Sequence, residues 1–168
     1  MSFPKHVLQT ELEYSVWATR RLLAACDTLT PDELSRDLRL SHHSVLDTLC
    51  HTYGSERFWV DCLRTGELPP LREIGVSGAP ASLPELEGAW PAVWTSLGGW
   101  LSSLPADGLT VTLRCARPPE PDLHLTRWQI LRHSFNHSTL HRGQVVGILR
   151  ALGKQPPNVD LFSYYLLG

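Results

Sequence analysis

Four stretches of this chain repeat apolar residues at spacings of three and four, and each is bracketed by helix start or stop signals. Such periodicity puts one apolar stripe on each of four helices, and those stripes can be hidden from water only against one another. The first stretch covers 4–27, where Val7, Leu8, Leu12, Val16, Thr19, Leu22, Leu23 and Cys26 share a face. The second covers 43–65; Ser41 or Ser44 can cap it and Thr65-Gly66 ends it. The third, over 83–103, opens on the capping box Ser82-Leu83-Pro84-Glu85 and carries Trp90, Trp94, Leu97, Trp100 and Leu101, with Gly88 and Pro91 expected to bend it. The fourth, over 126–152, opens on Thr126-Arg127-Trp128-Gln129 and stops at Gly153. A short extra helix near 31–36 follows the box Thr30-Pro31-Asp32-Glu33. Residues 67–82, rich in Pro, Gly and Ser, read as a loop long enough to carry function. Alternation within 108–125 reads as two short strands, a small β-hairpin between helices three and four. The expected fold is all-α: a four-helix bundle forming a single domain over 1–168.

Composition narrows the partners. Fifteen Lys and Arg against 17 Asp and Glu give a net charge of -2, so no cationic surplus exists to neutralise phosphates and no nucleic-acid partner is expected. A mean hydropathy of -0.13 and the lack of an apolar run near ~18 residues argue against a membrane span. The start Met1-Ser2-Phe3-Pro4-Lys5-His6 has no apolar leader core, and a cytoplasmic location is expected. Cys26, Cys50, Cys62 and Cys115 form no Cys-x-x-Cys pair and read as buried thiols.

The histidines carry the chemical signal. Of eight, His137 and His141 stand four apart on the fourth helix, within about 40° of each other at about 100° per residue. Ile130, Val145, Ile148 and Leu152 share that side, so both imidazoles face the bundle interior. Unpaired polar groups there cost about 1–3 kcal/mol each, and a shared metal ion would satisfy both rings. One or both could equally be surface histidines or core histidines with hydrogen-bond partners. His133, a further turn back, lies about 12 Å of helix rise from His141, too far for one ion to bind all three. A third ligand must therefore come from another helix. His51 projects among Ser44, Thr48, Ser55, Phe58 and Cys62, a small, uncharged face, where it is either such a ligand or a core histidine bonded to a carbonyl. His42 and His43 fall at a helix start and are expected to be exposed, as are His6 and His124. Glu56 projects among Val45, Leu49 and Leu63 and needs a partner there. That partner is an arginine at a helix seam, or else Glu56 orients a histidine, binds substrate or accepts a proton.

The segment Asn136-His137-Ser138-Thr139-Leu140-His141-Arg142-Gly143-Gln144 resembles the H-x-x-x-H-R-G-Q signature of the DinB-like family, damage-inducible metalloproteins that include bacillithiol S-transferases. Leu149-Arg150-Ala151-Leu152-Gly153 with Pro157, Asp160 and Tyr164 is similar to that family's C-terminal stretch. Trp17-Ala18-Thr19-Arg20-Arg21-Leu22-Leu23, and Ser44-Val45-Leu46 leading to His51, Glu56 and Trp59, resemble its first two helices. No matching motif falls in 67–125. The resemblance implies a DinB-like bundle, a homodimer, and one divalent metal held by His51, His137 and His141. Zinc or nickel is the expected ion, and iron or manganese also accepts imidazole. Gln144 lies about 20° from His137 and could reach the site, whereas Arg142 points elsewhere and reads as structural or interfacial. Trp128, Phe135 and Val146 make a second apolar stripe that would suit a dimer.

Three neutral imidazoles leave a metal position open, and an open site activates water or a thiol. The resemblance favours transfer of a low-molecular-weight, bacillithiol-type thiol to an electrophile in stress response or detoxification. The alternatives are a metal-dependent hydrolase, a non-catalytic metal- or small-ligand-binding stress protein, and a purely structural bundle. Glu56, His133 and Gln144 remain as candidates for a catalytic role.

Overall fold

Where each helix begins is decided by side chains that satisfy amides the helix itself cannot. The computed structural model describes residues 4–39, 42–68, 80–115 and 119–167. Helix α1 is Lys5–Cys26. The short α2, Pro31–Ser35, starts where Thr30 and Glu33 exchange hydrogen bonds: the Thr30 hydroxyl accepts from the Glu33 amide and the Glu33 carboxylate accepts from the Thr30 amide. Helix α3, Val45–Thr65, is capped by the Ser44 hydroxyl, and Gly66 ends it at φ 78, a conformation glycine adopts without cost. Its start is therefore Ser44 rather than residue 43; the alternative cap Ser41 lies outside the described residues. Helix α4, Leu83–Ser103, runs through Pro91 as one element from its Ser82 cap. A 3-10 turn, Gly108–Thr110, leads into β1, Thr112–Cys115, which pairs antiparallel with β2, Leu123–Thr126, so that Leu113 faces Leu125. The expected hairpin is thus present, with Arg117 and Pro118 outside the described residues. Helix α5, Arg127–Ala151, begins where Gln129 accepts from the Thr126 amide, and Gly153 at φ 74 follows its end. One element was not foreseen: α6, Leu161–Tyr165, capped by Asp160.

The four long helices form the bundle. Helix α1 packs on α4 and α5, and α3 packs on the same two. Helices α1 and α3 therefore sit across one diagonal and α4 and α5 across the other, which is why the connections between them are long. The shared centre holds Leu8, Leu22, Leu63, Leu86, Trp90, Ile130 and Ile148, all 2% exposed or less. Burial of each such side chain is worth about 1.5–3 kcal/mol. Among the described residues, no helix is long and apolar enough to cross a membrane. The four cysteines are thiols outside any disulfide; Cys26, Cys62 and Cys115 are buried and Cys50 is half-buried. The expected loop at 67–82 lies outside the described residues over 69–79.

Arg142 ties α5 to α1. It is 3% exposed, donates to the hydroxyls of Ser15 and Thr139 at 2.9 and 2.8 Å, and lies 5.2 Å over the Tyr14 ring. Its role is structural, as its helical position suggested. Near it, Tyr14 donates to the Val159 carbonyl at 2.9 Å and Tyr164 packs on Tyr14 and Trp17, fastening the C-terminal segment to α1.

Candidate metal centre

Helices α3 and α5 lie side by side, and the histidines that project from their facing sides meet. His51 Nε2 stands 3.2 Å from His137 Nε2, and His141 Nε2 stands 3.0 Å from the same atom. His141 is 5% exposed, and His51 and His137 are half-buried. Gln144, one turn on, takes the other side of His141, its Oε1 2.7 Å from Nδ1. An amide oxygen only accepts, so the His141 hydrogen sits on Nδ1 and its Nε2 lone pair is bare toward the cluster.

That arrangement is unsatisfied by its own hydrogen bonds. The Nε2 of His137 faces two other Nε2 atoms, and a single hydrogen cannot serve both contacts at full strength. A cation serves all three. Ligand bonds near 2.0–2.1 Å put neighbouring nitrogens about 3.0–3.4 Å apart, the spacing of the His51–His137 and His141–His137 pairs. The donor set therefore suits a divalent ion of the kind imidazole prefers.

The rings are also held ready to bind. Burial first, then the neighbouring His42 and His141 rings, push His51 down to about 4. Burial, then the rings of His141, His51, His133 and His42, push His137 down to about 3. Both are neutral near pH 7, with lone pairs available. In the metal-free protein the same depression has a consequence for folding. The unfolded chain takes up protons below about 6.5 that the folded cluster resists, so stability is present above that pH and is lost as pH falls toward about 4 and then about 3. Thermal unfolding in chelator should show the melting temperature dropping between pH 7 and 4.5, with a shallower drop in His137→Asn. Parallel curves for the two proteins would contradict this.

A fourth ring belongs to the cluster and corrects the sequence reading. His42 is not exposed: it is half-buried, stacked on His51 with centroids 4.0 Å apart and planes 20° from parallel, and edge-on to His141 at 4.9 Å. The ligand nitrogens of His42, His51 and His141 all lie within 4.8 Å of one another, a group able to hold a metal ion. Helical projection missed it because His42 precedes the Ser44 cap. Extended back along a helix at about 100° per residue, it would fall roughly opposite His51. Instead His43 takes φ 58 and the turn folds His42 back over the site. His6, His43 and His124 are exposed, as expected.

Glu56 sits apart from the imidazoles. It is 7% exposed, and its partner is not an arginine. Oε2 accepts from the Trp90 and Trp94 indoles at 2.6 and 3.3 Å, and Oε1 accepts from the Ser138 hydroxyl at 2.6 Å. With three donors on two oxygens, the carboxyl group knits α3 to α4 and α5. Periodicity could not show this, because the two indoles come from a helix whose register against α3 only the fold sets. His133 is exposed, edge-on to Trp59 at 5.2 Å and 5.9 Å from His137, on the flank of the cluster rather than in it.

Comparison with known proteins agrees with this architecture. A family model described as the DinB family matches residues 1–166. Among curated proteins, Protein DinB of Bacillus subtilis (strain 168) is 21% identical over 159 residues, covering 92% of this chain and 91% of that protein.

Proposed function

This chain belongs to the DinB family, and from that membership and the converging imidazoles we propose that it is a divalent-metal enzyme that transfers an external thiol to an electrophile. The observation that carries the proposal is the His137 Nε2 atom, 3.2 Å from His51 Nε2 across the α3–α5 seam and 3.0 Å from His141 Nε2 on its own helix, a pair of contacts that a shared cation satisfies and hydrogen bonds do not. In this reading His51, His137 and His141 hold one ion, zinc or nickel by preference, with iron or manganese also chemically admissible.

When bound, the ion would supply a positive charge that lowers the pKa of a thiol or water brought to it. The protein's own part is to hold neutral imidazoles in place and to keep its own sulfur out of the reaction. Gln144 fixes the His141 tautomer. Burial pushes the thiols of Cys26 and Cys62 up to about 12 and that of Cys50 up to about 11, so these are poor nucleophiles near pH 7. In this reading the nucleophile comes from outside, as a low-molecular-weight thiol. Its S–H proton leaves to solvent or buffer, its sulfur forms a bond to the electrophilic carbon, and the leaving group departs with the electron pair of the broken bond. Stress response or detoxification is the setting that such chemistry serves. A homodimer is part of the same proposal, supported by Phe162, Tyr165, Leu166 and Leu167, which expose 57–70% of their surface at the C-terminus.

The metal-loaded protein should consume alkylating electrophiles in the presence of a bacillithiol-type thiol, and His137→Ala should remove the reaction. A broad screen of thiols and electrophiles without turnover in loaded protein would overturn the transfer reading and leave a metal-binding protein. Turnover of esters or amides without thiol would point to hydrolysis.

A further inference from the structure

Three protein ligands leave a metal site open, and four close it. The number available here depends on His42, which no helical pattern nominates. Its ring is stacked on His51 at 4.0 Å and edge-on to His141 at 4.9 Å, and its ligand nitrogen lies within 4.8 Å of theirs. We propose that His42 is a fourth protein ligand to the ion held by His51, His137 and His141, and that an incoming small molecule must displace it. The inference rests on the metal reading above and concerns the state of that same site.

Two features support it. The first is reach: four nitrogens around one ion with bonds near 2.1 Å stand about 3.4 Å apart, and the His42 nitrogen already lies within 4.8 Å of those of His51 and His141, so it has about 1.4 Å or less to close on that pair. The second is the turn that carries it. His43 sits at φ 58, a region that L side chains seldom adopt. The turn is pinned on both sides: the Leu38 amide donates to the His43 carbonyl at 2.8 Å, and Ser44 caps α3. The His42 ring is thereby directed over the cluster rather than out to solvent, while its backbone precedes the Ser44 cap of α3. His51, His137 and His141 lie within long helices and are fixed by them. Of the four ligands His42 is the one that can leave without moving a helix. The resting site is then closed, and exchange of His42 for a thiol opens it.

Cobalt(II) is the probe, because its visible absorption reports coordination number directly. Full-length parent, His42→Ala, His42→Gln and His51→Ala are loaded with cobalt, and circular dichroism checks that each is folded. The parent should show the intense band of four-coordinate cobalt. Both His42 variants should show a weaker band of higher coordination, a cobalt affinity lower by at least about tenfold, and perturbation by azide at lower concentration than the parent. Identical bands and affinities in the parent and both His42 variants, with binding lost in His51→Ala, would overturn this inference alone. No cobalt binding by the parent would overturn the metal reading and this inference with it.

Discussion

Glu56→Ala should destabilise the fold by about 4 kcal/mol or more. The substitution strands two buried donors, the indoles of Trp90 and Trp94, leaves the Ser138 hydroxyl only its longer bond to the Ser134 carbonyl, and opens a cavity where α3, α4 and α5 meet. Each stranded group costs about 1–3 kcal/mol, and the cavity adds to that. A domain has only about 5–15 kcal/mol in all, so the variant should be barely folded. Glu56→Gln keeps the shape and one accepting oxygen, but its amide nitrogen meets donors. A loss of about 1–3 kcal/mol is expected there, with metal content unchanged. Urea unfolding of the metal-free proteins measures both. A loss under about 1 kcal/mol for Glu56→Ala would show that the three contacts do not bear on stability. A folded Glu56→Gln that loses its metal would show that Glu56 acts on the cluster.

The second large effect concerns metal and stability together. A ligand that binds only the folded state stabilises it by about 4 kcal/mol at a thousand times its Kd. For a chain of 168 residues that corresponds to a rise in melting temperature of roughly 8–16 °C. Zinc or nickel added to chelated protein should produce a rise of this order, and His137→Ala should abolish it, because the Nε2 of His137 is the one that both other imidazoles face. Equal melting temperatures with and without metal in the parent would remove the stabilising role assigned to the ion. An equal rise in His137→Ala would place the ion elsewhere.

The helices were legible because their signals are local. Apolar spacing fixed the stripes of α1, α3, α4 and α5, and side-chain caps such as Thr30, Ser82 and Thr126 set starts within a residue or two. The projection of His137, His141 and His51 toward a common interior was likewise readable, since each lies inside a regular helix. What escaped depends on backbone that leaves the helical period or on contacts between distant segments. His42 reaches the cluster through a turn in which His43 adopts φ 58, and no periodicity describes such a turn. The indole partners of Glu56 come from the register of α4 against α3. Helix α6 is five residues long, with too few positions to show a period; its Asp160 cap was the available signal.

Whether imidazoles from α3 and α5 share one metal ion decides the function proposed above. Elemental analysis of untagged protein, purified without chelator or immobilised-metal resin, tests it most directly beside His51→Ala. About one equivalent of a divalent metal is expected in the parent and a large loss in the variant, which removes the ring contributed by α3. A parent that holds no metal even after supplementation with zinc or nickel would contradict it, and so would an equal content in His51→Ala.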